Sequence, residues 1–230
     1  MNINVITIFP EILETILSMG TMGIAARKSL VTYRVVNLRD FAKDSYGSID
    51  DAPYGGGAGM VMMVEPLYEA VQSLSLPRGS RVVLTTPAGR MFDQALARDF
   101  AAERDLTFIC GRYKGVDDRI RELAVTDEVS IGDVVLSGGE LAAAVCIEST
   151  VRLLDDVLGN EESRETDSFA AGREYILDCA YYTRPVEFKG MRVPDVLLSG
   201  NHKEIEQWRR QSSMERTRTL RPDLLEKDKK

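Results

Sequence analysis

Strand-like and helix-like patterns of apolar residues alternate along residues 1–158, and this alternation constrains the fold more than any other feature of the sequence. Five short apolar runs rich in β-branched residues predict strands at 3–8, 33–38, 81–85, 106–110 and 128–131. Apolar residues that recur with a period of 3.6 predict helices at 10–19, 65–74, 91–103, 117–124 and 140–154. Because strands that alternate with helices assemble into parallel sheets, we predict an α/β fold with a largely parallel sheet.

Both periods stop after Leu158. Residues 159–174 are polar, rich in Glu and Ser and without periodicity, which is typical of an interdomain linker or a mobile loop. Beyond them, one helix is predicted to begin after Asn201, at a capping signal, and to run to about Arg218. We therefore predict a larger domain at 1–158, a linker at 159–174 and a small helical domain at 175–230.

Charge is distributed unevenly between the two predicted domains. The chain has a net charge of −7, but residues 184–221 contain nine Lys/Arg and five Asp/Glu, so this segment carries +4 and the rest −11. Basic surfaces attract nucleic acids, because neutralised phosphates supply most of the non-specific affinity. Charge alone leaves two interpretations open, a nucleic-acid partner and an ordinary solvated helix face.

The inventory of histidines and cysteines excludes several kinds of chemistry. His202 is the only histidine, which excludes Ser-His and Cys-His nucleophiles and multi-histidine metal sites. The three cysteines are widely spaced, which argues against a disulfide framework and a thiolate zinc site. No apolar stretch approaches the roughly 20 residues that span a bilayer, and residues 2–8 favour a first strand over a signal peptide. We expect a cytoplasmic protein without a membrane partner.

Residues 53–60 (PYGGGAGM) contain four glycines in five positions. Such a density costs backbone entropy and is typical of a chain that turns tightly or approaches a ligand closely. The segment matches neither a P-loop nor the dinucleotide fingerprint, so it gives little support for ATP or dinucleotide binding, including a dinucleotide-dependent oxidoreductase. An ordinary turn before the next helix remains an open alternative.

Three further loops follow predicted parallel strands, at 86–89, 111–115 and 132–139. The carboxyl ends of strands in an open α/β sheet form the crevice where ligands bind. Small residues there allow the main chain to contact a ligand such as an adenine or a methionine moiety. Each loop alone is also compatible with a plain strand-to-helix turn, so the argument rests on the three together.

Six segments in order resemble the bacterial tRNA (guanine-N1)-methyltransferases, the TrmD family: residues 53–60, 110–117, 130–141, 167–169, 182–185 and 196–202. The resemblance covers nearly the whole chain. It implies a SPOUT-class methyltransferase whose S-adenosyl-L-methionine pocket is a deep trefoil knot, an exception to ordinary chain topology. It further implies a homodimer with a shared active site, which makes 1-methylguanosine at tRNA position 37.

The resemblance also implies roles for individual residues. The residues that would bind the cofactor are Thr86, Pro87, Gly111, Ile131, Gly132, Asp133, Val134, Val135, Leu136, Gly138 and Gly139. The proton on guanine N1 must leave, and the family pattern puts a carboxylate base at Asp167. Arg152 would stabilise negative charge that develops toward O6. Ser168, Arg209 and Arg216 would contact the tRNA anticodon stem-loop.

Some points remain open at the level of the sequence. Lys114 occupies a position where the family commonly has Glu, which puts an acidic role there in doubt. Taken alone, Asp167 is also compatible with a turn residue and Arg152 with a cation that complements a helix dipole. Alternative functions are a SPOUT methyltransferase for another RNA position and a non-catalytic RNA- or nucleotide-binding relative. No metal-binding residues are predicted, although the family suggests that Mg²⁺ assists; the tRNA isoacceptor and the order of the linker are also open.

Overall fold

The computed structural model describes residues 1–158, 167–170 and 176–227. The chain divides into two compact units, Met1–Gly159 and Asn160–Lys230. Apart from residues 167–170, the predicted linker at 159–174 lies outside the described residues. None of the described helices is both long enough and apolar enough to cross a bilayer.

The first unit alternates strands and helices. Its strands are β1 (Asn2–Thr7), β2 (Thr32–Asn37), β3 (Asp50–Asp51), β4 (Val61–Met62), β5 (Arg81–Met91), β6 (Asp105–Cys110) and β7 (Asp127–Ser130). Its helices are α1 (Pro10–Leu17), α2 (Gly20–Arg27), α3 (Val64–Ser73), α4 (Gln94–Ala101), α5 (Arg119–Leu123) and α6 (Glu140–Val151). A short 3-10 helix at Leu38–Phe41 follows β2.

Five strands form one sheet in the order β2-β1-β6-β5-β7, and every neighbouring pair is parallel. The α/β fold with a parallel central sheet is therefore confirmed. A small antiparallel ribbon of β3 and β4 stands apart from this sheet. Because parallel strands point the same way, the irregular part of β5 at 86–89 and the segments that follow β6 and β7 come to one edge.

Alternation of side chains along the strands gives the sheet two apolar faces. Val5 contributes to a core with α1, α2, α4 and α6, and the next residue, Ile6, contributes to a second core with α3 and α5. Helix α6 is apolar nearly all round, and α1, α2 and α4 all pack against it. Such a helix belongs in an interior, which explains why it lies directly on the sheet.

Strand β5 is longer than the sequence predicts. After an irregularity between Thr85 and Arg90, it pairs again with β7 through Arg90 and Met91. The helix predicted at 91–103 therefore begins at Gln94, where the Asp93 side chain accepts a hydrogen bond from the backbone N–H of Leu96 at 3.0 Å. Helix α2 was not predicted at all.

The spacing of Ser137 and Glu140 in the sequence predicts a capping box at the start of the helix at 140–154, and this prediction is wrong. Helix α6 begins at Glu140, so this residue is N1 rather than N3, and the N-cap is Gly139 with no side-chain cap. The Glu140 carboxylate is instead buried, and it accepts a hydrogen bond from Thr7 Oγ1 at 2.8 Å.

Among its described residues, the second unit contains a short hairpin, a 3-10 helix and two α-helices. Strands β8 (Glu187–Phe188) and β9 (Met191–Arg192) precede a 3-10 helix at Asp195–Leu198, followed by α7 (His202–Leu220) and α8 (Leu224–Lys227). The predicted N-cap is confirmed, because the Asn201 side chain accepts from the Glu204 N–H. Hydroxyls of α7 also bind the extended segment before the hairpin: Thr217 accepts from Leu177 N and Ser212 from Ala180 N, both at 3.0 Å.

Candidate active site

A cavity of about 290 Å³ lies beside residues 84–87 in the middle of β5 and beside the segments that follow β6 and β7. Its volume is near the lower end of the roughly 300–1,000 Å³ of ligand pockets. Ten residues expected from the sequence to bind a cofactor line it: Thr86, Pro87, Gly111, Ile131, Gly132, Val134, Val135, Leu136, Gly138 and Gly139. Asp133 lies in the same loop, exposed, but is not one of the wall residues.

The buried hydroxyl of Thr85 on β5 connects strand β6 with the loop that ends at Gly139. Its Oγ1 lies 3.2 Å from the carbonyl oxygen of Ile109 and 3.4 Å from that of Gly139, as donor to both. The Gly139 N–H in turn donates to the Gly111 carbonyl at 2.9 Å. One residue further out, Arg112 and Gly138 form an isolated antiparallel bridge. The loops are thus held by main-chain contacts, which suits recognition of a ligand by backbone groups.

Gly139 leaves no space for a side chain. A Cβ there would overlap Thr85 Oγ1 and come within 3.0 Å of the Cys110 Cα. We expect Gly139→Ala to lower the free energy of unfolding by about 1–3 kcal/mol, as overpacking does, and to weaken ligand binding in the cavity. Urea denaturation checks the first effect. Gly111→Ala is the matched control, since its Cβ would have ordinary contacts at 3.5 Å or more; equal losses in both variants would contradict the packing argument.

The return of β5 fixes the other side of the cavity. Gly89 lies against the backbone of β7, where a Cβ would overlap main-chain atoms of Glu128 and Val129. Just beyond it, the Phe92 N–H donates to the Ser130 carbonyl at 2.7 Å. The chain therefore pairs with β7 twice, first through residues 83–85 and again through Arg90 and Met91.

The charged side chains in the cavity wall are all cationic: Arg112, Lys114 and Arg121, with no Asp or Glu among the wall residues. Arg121 forms ion pairs with Asp118 and Glu128. Arg112 stacks its guanidinium on the Phe9 ring, 4.2 Å from the centroid, which is a cation–π contact. In the part of the chain that the structure describes, no cluster of His, Cys, Asp or Glu is placed to hold a metal ion. Mg²⁺ prefers carboxylate ligands, so these walls do not fit the ion that the resemblance suggested.

Cys110 comes directly before the wall residue Gly111 but is not itself a wall residue. Burial raises the pKa of the Cys110 thiol well above its ordinary value, and the nearby Glu140 carboxylate adds to the shift. The thiol is therefore neutral at pH 7 and behaves as an apolar group. Desolvation also raises the pKa of the wall residue Tyr113, and a hydrogen bond to Asp50 raises it further.

The glycine-rich segment at 53–60 lies against one wall. Gly55, Gly56, Gly57 and Gly59 all have positive φ, between 78° and 119°, so the turn needs glycines. A Cβ at Gly59 would lie 2.9 Å from Lys114 Cγ, which means that the lysine side chain packs across this glycine. The sequence left open whether this segment turns tightly or approaches a ligand. The structure shows a tight turn, and the turn also supports the wall residue Lys114.

The two residues expected to be catalytic lie in different units. Arg152 is the C-cap of α6, and its N–H donates to the Glu148 carbonyl at 3.1 Å. Asp167 begins a turn in the second unit, where its carbonyl accepts from Ala170 N at 3.2 Å. The neighbouring Ser168 hydroxyl accepts from the Asp178 N–H at 2.9 Å. Neither Arg152 nor Asp167 is a wall residue of the cavity.

Two of the three residues expected to bind RNA lie on α7, and the third, Ser168, lies in the turn that Asp167 begins. Arg209 and Arg216 both present exposed side chains in the second unit, as do Arg210 and Arg218 on the same helix. The sequence did not single out Arg112 as a functional residue. Its place between two glycines of a strand-end loop was the available signal, but only the fold places it in the wall.

Comparison with known proteins gives consistent matches over the whole chain. A family model described as tRNA (Guanine-1)-methyltransferase TrmD matches residues 1–227. A tRNA (guanine-N(1)-)-methyltransferase of Brevibacillus brevis is 52% identical over 227 residues, which are 99% of this chain and 92% of that protein. Proteins of the same name from Bacillus cereus and Bacillus anthracis are each 50% identical over 228 residues, with coverages of 98% and 92%.

Proposed function

The chain belongs to the TrmD family of tRNA (guanine-N1)-methyltransferases, and from this premise we propose that it methylates N1 of the guanosine at tRNA position 37, next to the anticodon. The methyl donor is S-adenosyl-L-methionine and the product is 1-methylguanosine. The observation that carries the proposal is the cavity between the strand-end loops, with its glycine-rich, main-chain walls. We further propose that the reaction takes place in the cytoplasm.

The donor would lie in this cavity. When bound, it supplies an electrophilic methyl group on a sulfonium. The residues proposed to hold it are those expected from the sequence, at 86–87, 111 and 131–139, including Asp133 at the outer side of its loop. Small residues suit this role, because they bring backbone N–H and C=O groups close to the adenine and methionine moieties.

Two side chains are proposed to act on the guanine, one by removing its N1 proton and the other by stabilising the negative charge that results. Asp167 takes the N1 proton as general base, and Arg152 stabilises the negative charge that develops toward O6. Ser168 contacts the splayed-out base, since a base must leave its stack to be modified. The larger domain at 1–158 would thus supply the donor site, and the domain at 175–230 would hold the substrate.

We propose that the cavity is formed by a trefoil knot of the SPOUT class. Support comes from the double passage of β5 beside β7, and from the hydrogen bonds that join residues 85, 109–111 and 139. Three segments distant in sequence meet at one point in this arrangement.

A homodimer is proposed, with an active site shared between two copies. A series of exposed aliphatic side chains supports the dimer. They lie in the loop at 132–139 and in the first half of α6: Val134, Val135, Leu136, Leu141 and Val145. Exposed apolar patches of this kind mark interfaces. We expect Val145→Glu to yield a monomer in analytical ultracentrifugation and to lose methyl transfer. Leu123→Glu is the matched control on α5, and a dimeric, active Val145 variant would contradict the interface.

The basic helix α7 is proposed to bind the phosphates of the anticodon stem-loop through Arg209 and Arg216. Each phosphate contact makes binding more sensitive to salt. We expect Arg209→Ala and Arg216→Ala each to reduce the slope of log K against log salt by about 1, uniformly across tRNA sequences. Fluorescence titrations at several salt concentrations measure this slope. An unchanged slope in both variants would remove α7 from the tRNA interface.

The test of the proposed function is transfer of labelled methyl from S-adenosyl-L-methionine to a tRNA transcript with guanosine at position 37. A transcript with adenosine at that position is the control. We expect label in the first only, with 1-methylguanosine after nuclease digestion. Methylation of a ribose hydroxyl, or cofactor binding without turnover, would replace the proposal with one of its two alternatives.

A further inference from the structure

We propose that Glu140 is a positioning residue for the donor site: its buried carboxylate holds the loop at 132–139 and the Arg112 side chain in the arrangement that binds S-adenosyl-L-methionine. The inference rests on the proposed function, since the donor is taken from it. Glu140 is not a wall residue of the cavity, so it acts through wall residues and not by contact with the donor.

The first argument is the place of the carboxylate. Glu140 is the first residue of α6, directly after the wall residues Gly138 and Gly139, and it is 4% exposed. Its side chain turns back toward this loop, because a Cβ built on Gly138 would overlap Glu140 Oε2 and lie 3.2 Å from its Cδ. The carboxylate therefore packs against the main chain of a wall residue.

The second argument is the cost of burying a charge, which is high unless other groups compensate it. The Thr7 hydroxyl at the end of β1 donates to Glu140 Oε1 at 2.8 Å, and the N-terminus of a 12-residue helix favours a negative charge. The Arg112 guanidinium is also near, since its Cζ lies 3.5 Å from the same Cβ position at Gly138. The attraction is mutual, because Arg112 Nη1 is buried without a hydrogen-bond partner among the described residues. The charge thus draws three separate segments together beside the cavity.

The third argument is that these contacts form a closed ring. The Phe9 N–H donates to Thr7 Oγ1 at 3.0 Å, and the Phe9 ring centroid lies 4.2 Å from Arg112 Cζ. Arg112 in turn forms a bridge with Gly138, against which the Glu140 carboxylate packs. Two wall residues are therefore held from outside the cavity. A site that is ordered in advance binds more tightly, since the ligand does not have to order it.

The main experiment measures the Kd of S-adenosyl-L-methionine by calorimetry, at a temperature where circular dichroism shows each variant to be folded. We expect Glu140→Ala to weaken binding by about 10-fold, the scale of one hydrogen bond to a charged group. Glu140→Gln should retain more of the affinity, because it keeps an oxygen that accepts from Thr7. Thr107→Val is the matched control, since it removes the acceptor of a buried hydrogen bond from Asn4 on the same strand. It should lower the melting temperature and leave Kd unchanged.

A double-mutant cycle tests whether Thr7 and Glu140 act as one unit. Thr7→Val alone should weaken donor binding, and Thr7→Ser, which keeps the hydroxyl, should not. In the Glu140→Ala background, Thr7→Val should have no further effect on Kd, because the contact that it removes is already lost. Additive losses in the double variant would overturn the proposal, since the two residues would then act separately.

Hydrogen exchange of the protein without donor provides a readout that does not depend on the proposed function. Glu140→Ala should speed exchange of the amides at 132–139, including the Gly139 N–H that binds the Gly111 carbonyl, and Thr107→Val should not. An unchanged Kd in Glu140→Ala, or an equal loss of affinity in Thr107→Val, would overturn the proposal. If the unaltered protein does not bind S-adenosyl-L-methionine, the proposed function fails, and exchange alone then decides whether Glu140 orders the loop.

Discussion

Asp167→Ala is expected to lower the rate of methyl transfer by about 10²- to 10⁴-fold, the range that a general base contributes. Guanine N1 keeps its proton until a base removes it, and without that step the nitrogen lone pair is not available to the methyl group. Cofactor binding should stay unchanged, because residue 167 is not part of the cavity wall. Single-turnover methylation and calorimetry measure the two quantities independently.

The Asp167→Asn variant distinguishes a role of Asp167 as general base from a structural role in the turn. Asparagine is nearly the same size and leaves the turn intact, since the turn uses the backbone carbonyl of residue 167 to bind Ala170. It should be as inactive as the alanine variant. Asp195→Asn is the matched control, an exposed carboxylate of the same unit that pairs with Arg192. Full activity in either Asp167 variant would remove this residue from the mechanism.

Arg152→Ala is expected to slow transfer by about 10²- to 10³-fold, as loss of one group that stabilises developing negative charge does. The charge on O6 grows only as the N1 proton leaves, so the effect should fall on the chemical step rather than on cofactor affinity. Arg152→Lys should recover part of the rate, because it keeps the charge but loses the fork of donors. Single-turnover rates with saturating cofactor and tRNA provide the measurement.

The alternative role of Arg152 is support of the helix that it terminates. Arg27, the last residue of α2, also lies at a helix C-terminus and is the control. Both alanine variants should lose a similar, small stability of about 0.3–1 kcal/mol through the helix dipole. Only the Arg152 variant should lose activity. If the two variants behave alike in both assays, Arg152 is a structural residue.

Periodicity predicted the parallel sheet well, because buried strands and amphipathic helices leave strong signals in apolar residues. It failed where pairing depends on the partner strand. Residues 86–91 contain Pro87 and Gly89 and lack the apolar pattern of a strand, yet the chain continues along β7 because a glycine allows close approach to its backbone. Helix α2 was missed for a related reason: its apolar stripe is short, and its stability comes from packing against α6.

The candidate site was predictable in outline only. Strand ends showed where a cavity forms, and family resemblance supplied the individual wall residues. The cationic character of the wall was not foreseen, since the direction of the Arg112 side chain depends on Phe9, which is over 100 positions away in the sequence. The capping-box error has the same origin. Glu140 accepts a hydrogen bond from Thr7 on another element, a contact that local spacing does not reveal.

The close packing around Gly89 and Gly139 also bears on drug resistance. An inhibitor that contacts the main chain at Gly139 would meet a wall position that does not accept a side chain, because a Cβ there collides with Thr85 Oγ1. Escape mutations would then favour exposed wall positions such as Val135 and Lys114. Compounds that avoid those two side chains should select resistant clones least often.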